Sequence, residues 1–470
     1  MTMWWLGWCT TAMASGGGGA EGHGLGHFLP FYTVIPFAGL LLSIAILPMV
    51  AGHFWHHNKN QLAVAVGWAT PVLLGLLWVY GTDWHHQGEA AAHGILHAVE
   101  EYISFIALLG SLYVISGGIL LRGDLEGRPA INTAFLAIGA VLANVIGTTG
   151  ASMLLIRPML RTNSERKNTW HIPLFFIFLV SNVGGALTPI GDPPLFLGYL
   201  RGIDFFWTVI HLWPAWLLAV GVLLVVFFVL DTIQYGKETG LSRREDAAAI
   251  EPLRLEGNLN FLLLAGVIVC VLALSPVKHP EGFHGFDPRD WYAREIGMGV
   301  LTAISMVVTD RSIRQRNNFE FGPIIEVAAL FVGIFIAMIP ATALLQAHGA
   351  ELPIHEPWQY FWATGALSAF LDNAPTYVTF AAMACGNYPQ CTDVNNLAPL
   401  MDPSSAHVLA AISLGAVFLG AGSYIGNGPN FMVRAIAEQA GYQMPSFFGY
   451  CAYAAAFLVP VFVVVSLVLL

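Results

Sequence analysis

Charge is scarce in this chain. Only 10% of its 470 residues are Asp, Glu, Lys or Arg, and 56% are hydrophobic, whereas soluble domains carry roughly 25% charged residues. The composition excludes an ordinary soluble domain and indicates one polytopic membrane unit, with the lipid bilayer as its surroundings. The net charge of −10 is spread over loops. Because no basic cluster of the kind that binds nucleic acid is present, we expect no nucleic-acid partner.

Reactive signatures are also scarce. The five cysteines have scattered spacings, which excludes a metal-thiolate framework. Only Cys385 and Cys391 lie close together, in a loop that we place outside, and the sequence leaves open whether they form a disulfide. No nucleotide-binding loop, catalytic triad or nucleophile elbow is present. We therefore expect neither an enzyme nor a primary active transporter, and no cofactor apart from a transported or coupling ion.

The N-terminal residues 1–28 allow two interpretations. Residues 1–14 are apolar, lack a basic region and precede a serine and four glycines. This pattern loosely resembles a leader with a small-residue cleavage site, but it is too short to span a bilayer. A cleaved leader and a flexible external tail both remain open.

Long apolar runs, by contrast, are abundant, and roughly 20 residues suffice for one span. A polar linker at 236–257 divides them into two halves, 29–235 and 258–470, with six runs each. The runs lie at 30–52, 61–81, 95–121, 130–156, 170–200, 205–230, 259–277, 293–309, 322–345, 358–384, 405–440 and 446–470.

The loop charges predict how the runs are oriented. If 130–156 and 358–384 enter and leave on the same side, fifteen Lys and Arg residues fall in inside loops and four in outside loops. Positive residues prefer the inside, so we predict that these two runs are re-entrant hairpins. Each half then has five crossings, an odd number, and the second half is inverted. The predicted fold is an all-α polytopic membrane protein of two inverted repeats, with the N-terminus outside and the linker cytoplasmic.

Two nonapeptides recur at matching places in the two halves. TPIGDPPLF at 188–196 and SYIGNGPNF at 423–431 are offset by 235 residues. A helix cannot run unbroken through Gly-Asp-Pro-Pro or Gly-Asn-Gly-Pro, so each overlong run should contain one broken helix. Helices broken at matching places in two halves are typical of secondary transporters, whose ion or substrate site lies at the breaks. A second correspondence aligns 147–150 with 372–375 at the predicted hairpin tips.

Asp192 is the leading candidate for chemistry. An ionised carboxylate within the membrane costs several kcal/mol unless it faces a cavity, a partner or an ion. Asp is also a good helix cap, and the two interpretations are compatible. Its counterpart Asn427 cannot titrate, so any binding and release of protons at the breaks is assigned to the first half. The proton-coupling candidates are Asp192, Asp372 and Glu326, because burial favours a protonated carboxyl group. Glu101 is expected to be solvated at the interface.

Hard cations such as sodium prefer carboxylate, carbonyl and hydroxyl oxygens. The breaks and hairpin tips supply these oxygens, and we predict that Na⁺ is held by Asn182, Asp192, Asn373 and Asn427. The full candidate set for ion or substrate binding is Asn144, Thr148, Thr149, Ser181, Asn182, Thr188, Gly191, Asp192, Asp372, Asn373, Thr376, Ser423, Gly426 and Asn427. His93, His97 and Glu101 share a helical face that is compatible with a metal or a pH sensor, but we expect solvated histidines there.

Three segments resemble the ion transporter superfamily: SNVGGALTPIGDPPLF at 181–196, LDNAPT at 371–376 and GAGSYIGNGPNF at 420–431. The superfamily includes sodium:proton antiporters, arsenite permeases and sodium-coupled dicarboxylate and citrate carriers. The chain is most similar to bacterial sodium:proton antiporters and citrate-transporter proteins. The resemblance implies inverted repeats with re-entrant hairpins, a homodimer, and a transport domain that moves like an elevator. The Ser-Asn-Thr hairpin tips of the dicarboxylate carriers are absent here, which favours cation exchange.

The leading hypothesis is therefore a sodium:proton antiporter of the cell inner membrane, with Na⁺ and H⁺ as its small partners. One alternative is a sodium-coupled symporter of citrate or a related organic anion. Another, from a different class, is a non-transporting membrane subunit.

Overall fold

The computed structural model describes residues 25–82, 88–238, 251–275 and 292–470. Two short strands, β1 (Leu120–Asp124) and β2 (Glu251–Glu256), accompany the helices. The α-helices of the described residues are α1 (Ile35–Val50), α2 (Gly52–Trp55), α3 (Asn58–Thr82), α4 (Glu89–Ser116), α5 (Pro129–Arg161), α6 (His171–Leu179), α7 (Pro193–Leu200), α8 (Phe205–Gly236), α9 (Leu259–Ala273), α10 (Ala293–Val308), α11 (Arg311–Arg316), α12 (Gly322–His348), α13 (Pro357–Ser368), α14 (Asn373–Asn387), α15 (Ala406–Leu419), α16 (Gly428–Gln439) and α17 (Phe447–Leu469).

Within the described ranges, seven helical segments are long and apolar enough to cross a membrane. They are Phe31–Val50, Asn58–Val79, Glu89–Ser116, Pro129–Arg161, Phe205–Gly236, Gly322–Glu351 and Phe447–Leu469. Shorter apolar helices lie at His171–Gly185, Leu259–Ala273 and Ala406–Gly422. The chain is thus a predominantly helical, multi-pass membrane protein.

Both overlong apolar runs are interrupted where glycine and proline accumulate. The first break, residues 180–192, separates α6 from α7 and contains one 3₁₀ turn. The second break, residues 420–427, separates α15 from α16 and begins with another. Each following helix has proline in its first turn, where the missing N–H would have no helical partner. The composition of the two nonapeptides therefore determines where the helices stop and restart.

Helix α5 folds back on itself at Gly147. This residue has φ 77° and ψ 154°, a conformation that only glycine adopts readily. Asn132 and Asn163 exchange two amide hydrogen bonds of 2.9 and 2.8 Å although they are 31 residues apart. A straight helix would separate them by roughly 46 Å. The two arms of α5, which we call the first hairpin, therefore begin and end at the same place.

Helices α13 and α14 also form a folded-back pair, which we call the second hairpin. Asn387 at the end of α14 donates to the Ile354 carbonyl at 3.2 Å and to the Tyr360 hydroxyl at 2.5 Å. Ile354 lies just before α13, and Tyr360 lies in its first turn. At the tip, Asp372 caps α14 by accepting from the Ala374 N–H at 3.0 Å. The predicted fold-back of both apolar runs is therefore present in the geometry.

Strands β1 and β2 form an antiparallel sheet that the sequence analysis did not predict. Strand β2 lies in the segment interpreted as a linker. Its Glu256 binds Arg122 at 3.3 Å and also binds Arg316. These guanidinium contacts, that of Arg316 first, lower the pKa of the Glu256 carboxyl group below its ordinary value. Gly123, with φ 116°, accommodates the bulge in β1.

The chain forms two compact units, and each takes segments from both halves of the sequence. Unit 1 comprises residues up to Ile106 together with Leu197–Asp204 and Phe321–Ala416. Unit 2 comprises Ala107–Phe196, Phe205–Glu320 and Val417–Leu470. The second hairpin lies in unit 1, and the first hairpin and both breaks lie in unit 2.

Unit 1 is built around α12. Gly333 brings this helix so close to α3 that a Cβ atom there would lie 2.6 Å from the Ala65 carbonyl oxygen. On another side, Phe331 stacks on Phe105 of α4 with ring centroids 4.6 Å apart. A disulfide joins Cys385 to Cys391, which settles the pairing that the sequence left open.

Unit 2 is built around α6, all nine residues of which are buried. Aromatic rings from three helices pack together there: Phe175 contacts Phe227 of α8 at 5.4 Å between ring centroids, and Phe178 contacts Tyr450 of α17 at 5.8 Å. Because α6 leads into the first break, this core fixes one side of the candidate site.

Candidate functional site

The two breaks meet through the residues that correspond in the repeat. Asn427 Nδ2 donates to Asp192 Oδ1 at 2.9 Å, and these residues are 235 positions apart. Both side chains are buried, with Asp192 only 1% exposed. The same Asn427 amide also lies 3.1 Å from the Ser181 carbonyl and 3.2 Å from Asn182 Oδ1. The second break therefore supplies one hydrogen-bond donor to the carboxylate of the first.

The tip of the first hairpin completes the surroundings of Asp192. Thr148 Oγ1 donates to Asp192 Oδ1 at 2.7 Å, and the Thr148 N–H donates to the Gly191 carbonyl at 2.8 Å. The positive φ of Gly147 turns the chain so that both donors of the next residue face the first break. The half-buried Thr149 follows at the same tip.

Asn430 belongs to the site and was missed by the sequence analysis. Its Oδ1 accepts from Asn182 Nδ2 at 2.6 Å, and its Nδ2 donates to the carbonyls of Gly420 at 2.8 Å and Ser423 at 2.9 Å. At the repeat offset its counterpart is Leu195. A polar residue whose repeat partner is apolar was the signal that could have found it. We call Thr148, Ser181, Asn182, Asp192, Asn427 and Asn430 the Asp192 cluster.

Two predicted residues hold the backbone of the first break. Asn144 Nδ2 donates to the Gly184 carbonyl at 2.6 Å, and Asn144 Oδ1 accepts from the Leu187 N–H at 2.8 Å. Thr188 Oγ1 donates to the Asn144 carbonyl at 2.6 Å. These contacts satisfy peptide groups that the interrupted helix leaves without helical partners. Asn144 and Thr188 therefore stabilise the break through its backbone.

Close backbone approach explains the glycine at the break. A Cβ atom on Gly191 would lie 2.1 Å from the Gly185 carbonyl oxygen, so no larger residue fits. In the second break, Ser423 Oγ accepts from the Ile425 N–H at 3.2 Å, and Gly426 directly precedes Asn427. These residues shape the backbone around the cluster.

Asp192 is the one ionisable member of the Asp192 cluster. The other five side chains are hydroxyls or amides, and all six residues are buried. A buried carboxylate is tolerated when hydrogen-bond donors satisfy it, and Thr148 and Asn427 do so here. The cluster therefore combines one titratable carboxyl group with neutral oxygens, a chemistry that fits one monovalent cation or one proton.

Three other predicted residues come together in unit 1, at the tip of the second hairpin. Asp372 caps α14, Asn373 is 1% exposed, and Thr376 Oγ1 donates to the Asp372 carbonyl at 2.8 Å. Elsewhere in unit 1, Glu326 is half-buried and its Oε1 accepts from Gln61 Nε2 at 2.7 Å. Both carboxylates thus have an observed hydrogen-bond partner.

The expectation that Glu101 is solvated was wrong. Glu101 is 4% exposed, and its two carboxylate oxygens accept from Arg201 Nε at 2.7 Å and Nη2 at 2.8 Å. His97 lies 3.4 Å from the same carboxylate, so it is not simply a solvated loop histidine. The error has a physical cause: Arg201 folds onto α4 and neutralises the charge. This pair lines a cavity of about 570 Å³ in unit 1.

A multi-pass helical protein in which two interrupted helices meet at a buried carboxylate has the architecture of a membrane transporter. The chain belongs to the family whose model, described as "Putative citrate transport", matches residues 26–470. An "Uncharacterized transporter" of Mycobacterium tuberculosis is similar, with 23% identity over 374 residues, which cover 74% of this chain and 82% of that protein. A "46 kDa membrane protein" of Mycobacterium leprae is 25% identical over 325 residues, covering 65% of this chain and 68% of that protein.

Proposed function

We propose that this chain is a secondary active transporter that exchanges Na⁺ for H⁺ across the cell inner membrane. The observation that carries the proposal is the single carboxylate of Asp192 among neutral hydroxyls and amides where the two breaks meet. One titratable charge can hold either a sodium ion or a proton, and the two then compete for it. Such competition couples the movement of one to the other.

The side chains around Asp192 suit a change of occupant. Thr148 Oγ1, Asn182 Oδ1 and the Ser181 carbonyl are oxygen ligands of the kind sodium takes. Asn427 presents its amide NH₂ to Asp192. A half-turn of that amide would present its oxygen to a cation instead. Asn182, Asp192 and Asn427 are thus the proposed sodium ligands in unit 2. In unit 1, Asn373 remains a predicted sodium ligand, and Asp372 and Glu326 remain predicted proton-coupling residues.

The membrane architecture that accompanies this proposal is two inverted repeats, 29–235 and 258–470. Each would have five spans and one re-entrant hairpin, with the N-terminus outside and the 236–257 linker in the cytoplasm. The folded-back hairpins and the fifteen-to-four split of Lys and Arg support it. The disulfide at Cys385 fits an oxidising outside face. A homodimer that works by an elevator movement follows from the superfamily resemblance.

Sodium-coupled symport of citrate or a related anion is the second candidate, and the family description favours it. A citrate site needs positive charge for its carboxylates. Arg201 lines a cavity, but its guanidinium already pairs with Glu101. The third alternative, a non-transporting subunit, gives no reason for two matched breaks.

Proteoliposomes containing the purified chain test the proposal. Internal pH is followed while Na⁺ is added outside, and uptake of labelled citrate is measured separately. We expect sodium-driven proton movement without citrate, and we expect Asp192→Asn to abolish it. Asp310→Asn is the matched control, because Asp310 is an exposed helix cap outside the cluster. Sodium-dependent citrate uptake without proton exchange would contradict antiport and support symport. If the wild-type protein shows neither activity, the remaining hypothesis is the non-transporting subunit.

A further inference from the structure

A second buried polar network lies at the open end of the first hairpin. It consists of Asn132, Asn163, Arg166, His171 and Asp231, and we call it the base network. The side chains of Arg166, His171 and Asp231 are at most 2% exposed. Burying charges so completely is costly unless every one is paired and hydrogen-bonded. The position of the base network relative to the Asp192 cluster indicates a function that would offset the cost of burying these charges.

Asp231 is the centre of the base network. Its Oδ1 accepts from Arg166 Nη2 at 2.5 Å and from His171 Nε2 at 2.8 Å. Its Oδ2 accepts from Asn132 Nδ2 at 2.9 Å and from Arg166 Nη1 at 3.3 Å. Because a carboxylate only accepts, Nε2 of His171 must carry the hydrogen. Both oxygens of Asp231 are thus satisfied by donors from other segments of the chain.

The same carboxylate holds the far ends of two elements that furnish the Asp192 cluster. Asn132 lies in the first turn of α5, and α5 presents Thr148 at its tip. His171 is the first residue of α6, and α6 leads to Ser181 in the first break. Asp231 itself lies on α8, so one side chain connects α8 to the bases of both elements.

Displacement at the base reaches the site because helices are stiff over this distance. An arm of about fifteen residues spans roughly 22 Å, and the nine residues of α6 span roughly 14 Å. Functional constellations tolerate misplacement of only about 0.5 Å. Buried ionic networks add little net stability, so a role in fixing one arrangement is the better explanation of their presence.

We propose that Asp231 is a positioning residue for the ion site. Through the base network it sets the separation of Thr148 Oγ1 and Asp192 Oδ1, which is 2.7 Å here, and with it the affinity for sodium. The inference rests on the proposed function for its transport readout, whereas its structural readout does not depend on that function.

The transport test compares Asp231→Asn with the double variant Asp231→Asn/Arg166→Gln. The single change leaves the buried guanidinium without its counter-charge, and the double variant removes both charges, so it keeps the test informative if the single variant fails to fold. Arg166→Lys retains the charge without the forked geometry. In the folded double variant we expect the KM for Na⁺ to be at least about fivefold above that of wild type, with kcat within about twofold of the wild-type value. For Arg166→Lys we expect an intermediate KM.

Glu238→Gln is the matched control. Glu238 is a buried carboxylate just after α8, and its observed hydrogen bonds come from Lys167 and Asn168, chiefly from their backbone N–H groups at 3.0 and 2.8 Å. We expect an unchanged KM for this variant. A folded double variant with the wild-type KM would overturn the positioning role. So would a loss of kcat at constant KM, because that result indicates proton transfer through the network.

Spin labels at Val145 near the tip and at Leu217 on α8, both exposed, measure the position of the tip directly. We expect a narrow distance distribution in wild type and in Glu238→Gln, and a broader or shifted one in the double variant. If wild type moves no protons in response to sodium, the proposed function fails, and this distance still decides the positioning role. An unchanged narrow distribution in the double variant would refute it.

Discussion

The first break carries the charge of the site, and the second break is neutral. At the repeat offset, Asp192 corresponds to Asn427 and His171 of the base network corresponds to Ala406. The two breaks nevertheless contact each other directly, through the 2.9 Å hydrogen bond between Asn427 and Asp192. Two nonapeptides with a shared sequence pattern thus carry different chemistry. One break supplies the titratable group and the other supplies the amide that satisfies it.

This asymmetry has a physical advantage for exchange. Two carboxylates at this distance would repel each other, and one of them would stay protonated. A carboxylate beside an amide keeps a single exchangeable charge. When the amide turns, the group that donated to the carboxylate presents its oxygen and can bind a cation. We therefore expect that the site depends on having one carboxylate in the Asp192 cluster. Whether that carboxylate stands in the first or the second break should matter less.

The largest expected effect comes from removing the carboxylate of Asp192. Asp192→Asn alone should abolish sodium-dependent proton movement, a loss of at least about a hundredfold, because the cluster then has no titratable group. The double variant Asp192→Asn/Asn427→Asp restores one carboxylate at nearly the same place, and Thr148 can still donate to the site. We expect it to recover part of the exchange rate, measured by internal pH in proteoliposomes.

Asn427→Asp alone is the control for this exchange. It places two carboxylates in contact, and we expect a milder effect than Asp192→Asn, seen as a shifted pH profile. If the exchanged double variant is as inactive as Asp192→Asn, the first break has a requirement beyond its charge.

The second prediction concerns the tip of the first hairpin. Thr148→Val keeps the shape of the side chain but removes the hydroxyl that donates to Asp192 at 2.7 Å. A hydrogen bond to a charged group contributes about 1.5–3 kcal/mol, so we expect the apparent sodium affinity to fall about ten- to a hundredfold. Thr302→Val is the matched control, because the Thr302 hydroxyl donates to the Met298 carbonyl of its own helix α10, outside the Asp192 cluster. Equal effects of the two variants would mean that the hydroxyl of Thr148 has no special part.

The breaks could be predicted from the sequence because their cause is local. Proline and glycine interrupt a helix wherever they stand, and the repeat revealed the pairing of Asp192 with Asn427. The charged partners could not be predicted in this way. Glu101 and Arg201 are 100 residues apart, and Asp231 lies 65 residues from Arg166. An Asp in the last turns of an apolar helix has the same local sequence whether it faces water or a buried guanidinium.

Asn430 provides the third prediction, because it is the polar residue that distinguishes the second break from Leu195 in the first. Asn430→Leu makes the two positions alike and removes three hydrogen bonds within the buried cluster. Leaving buried polar groups without partners costs about 1–3 kcal/mol each. We expect a clear fall in thermal stability in detergent. Asn430→Asp keeps acceptors but loses both donated bonds and adds a second carboxylate, so it should be destabilised as well. A wild-type melting temperature for the leucine variant would show that these bonds are not needed.

The smallest effect is expected from a carboxylate outside the site. Glu256 on β2 binds Arg316 and Arg122, and these contacts lower the pKa of its carboxyl group below the usual 4.5. A carboxyl group with a lowered pKa stabilises the folded state above its unfolded pKa, and this contribution is lost as the pH falls through the folded pKa. Glu256→Gln should therefore leave sodium-dependent exchange unchanged at neutral pH and reduce stability slightly there. As the pH falls through the lowered pKa of the folded state, its melting temperature should converge on that of wild type. Melting curves from pH 3 to 7, beside exchange rates at pH 7, check both parts. A change in exchange as large as that of Thr148→Val would show that charges far from the breaks also control the site, and the contrast between one charged and one neutral break would no longer be sufficient.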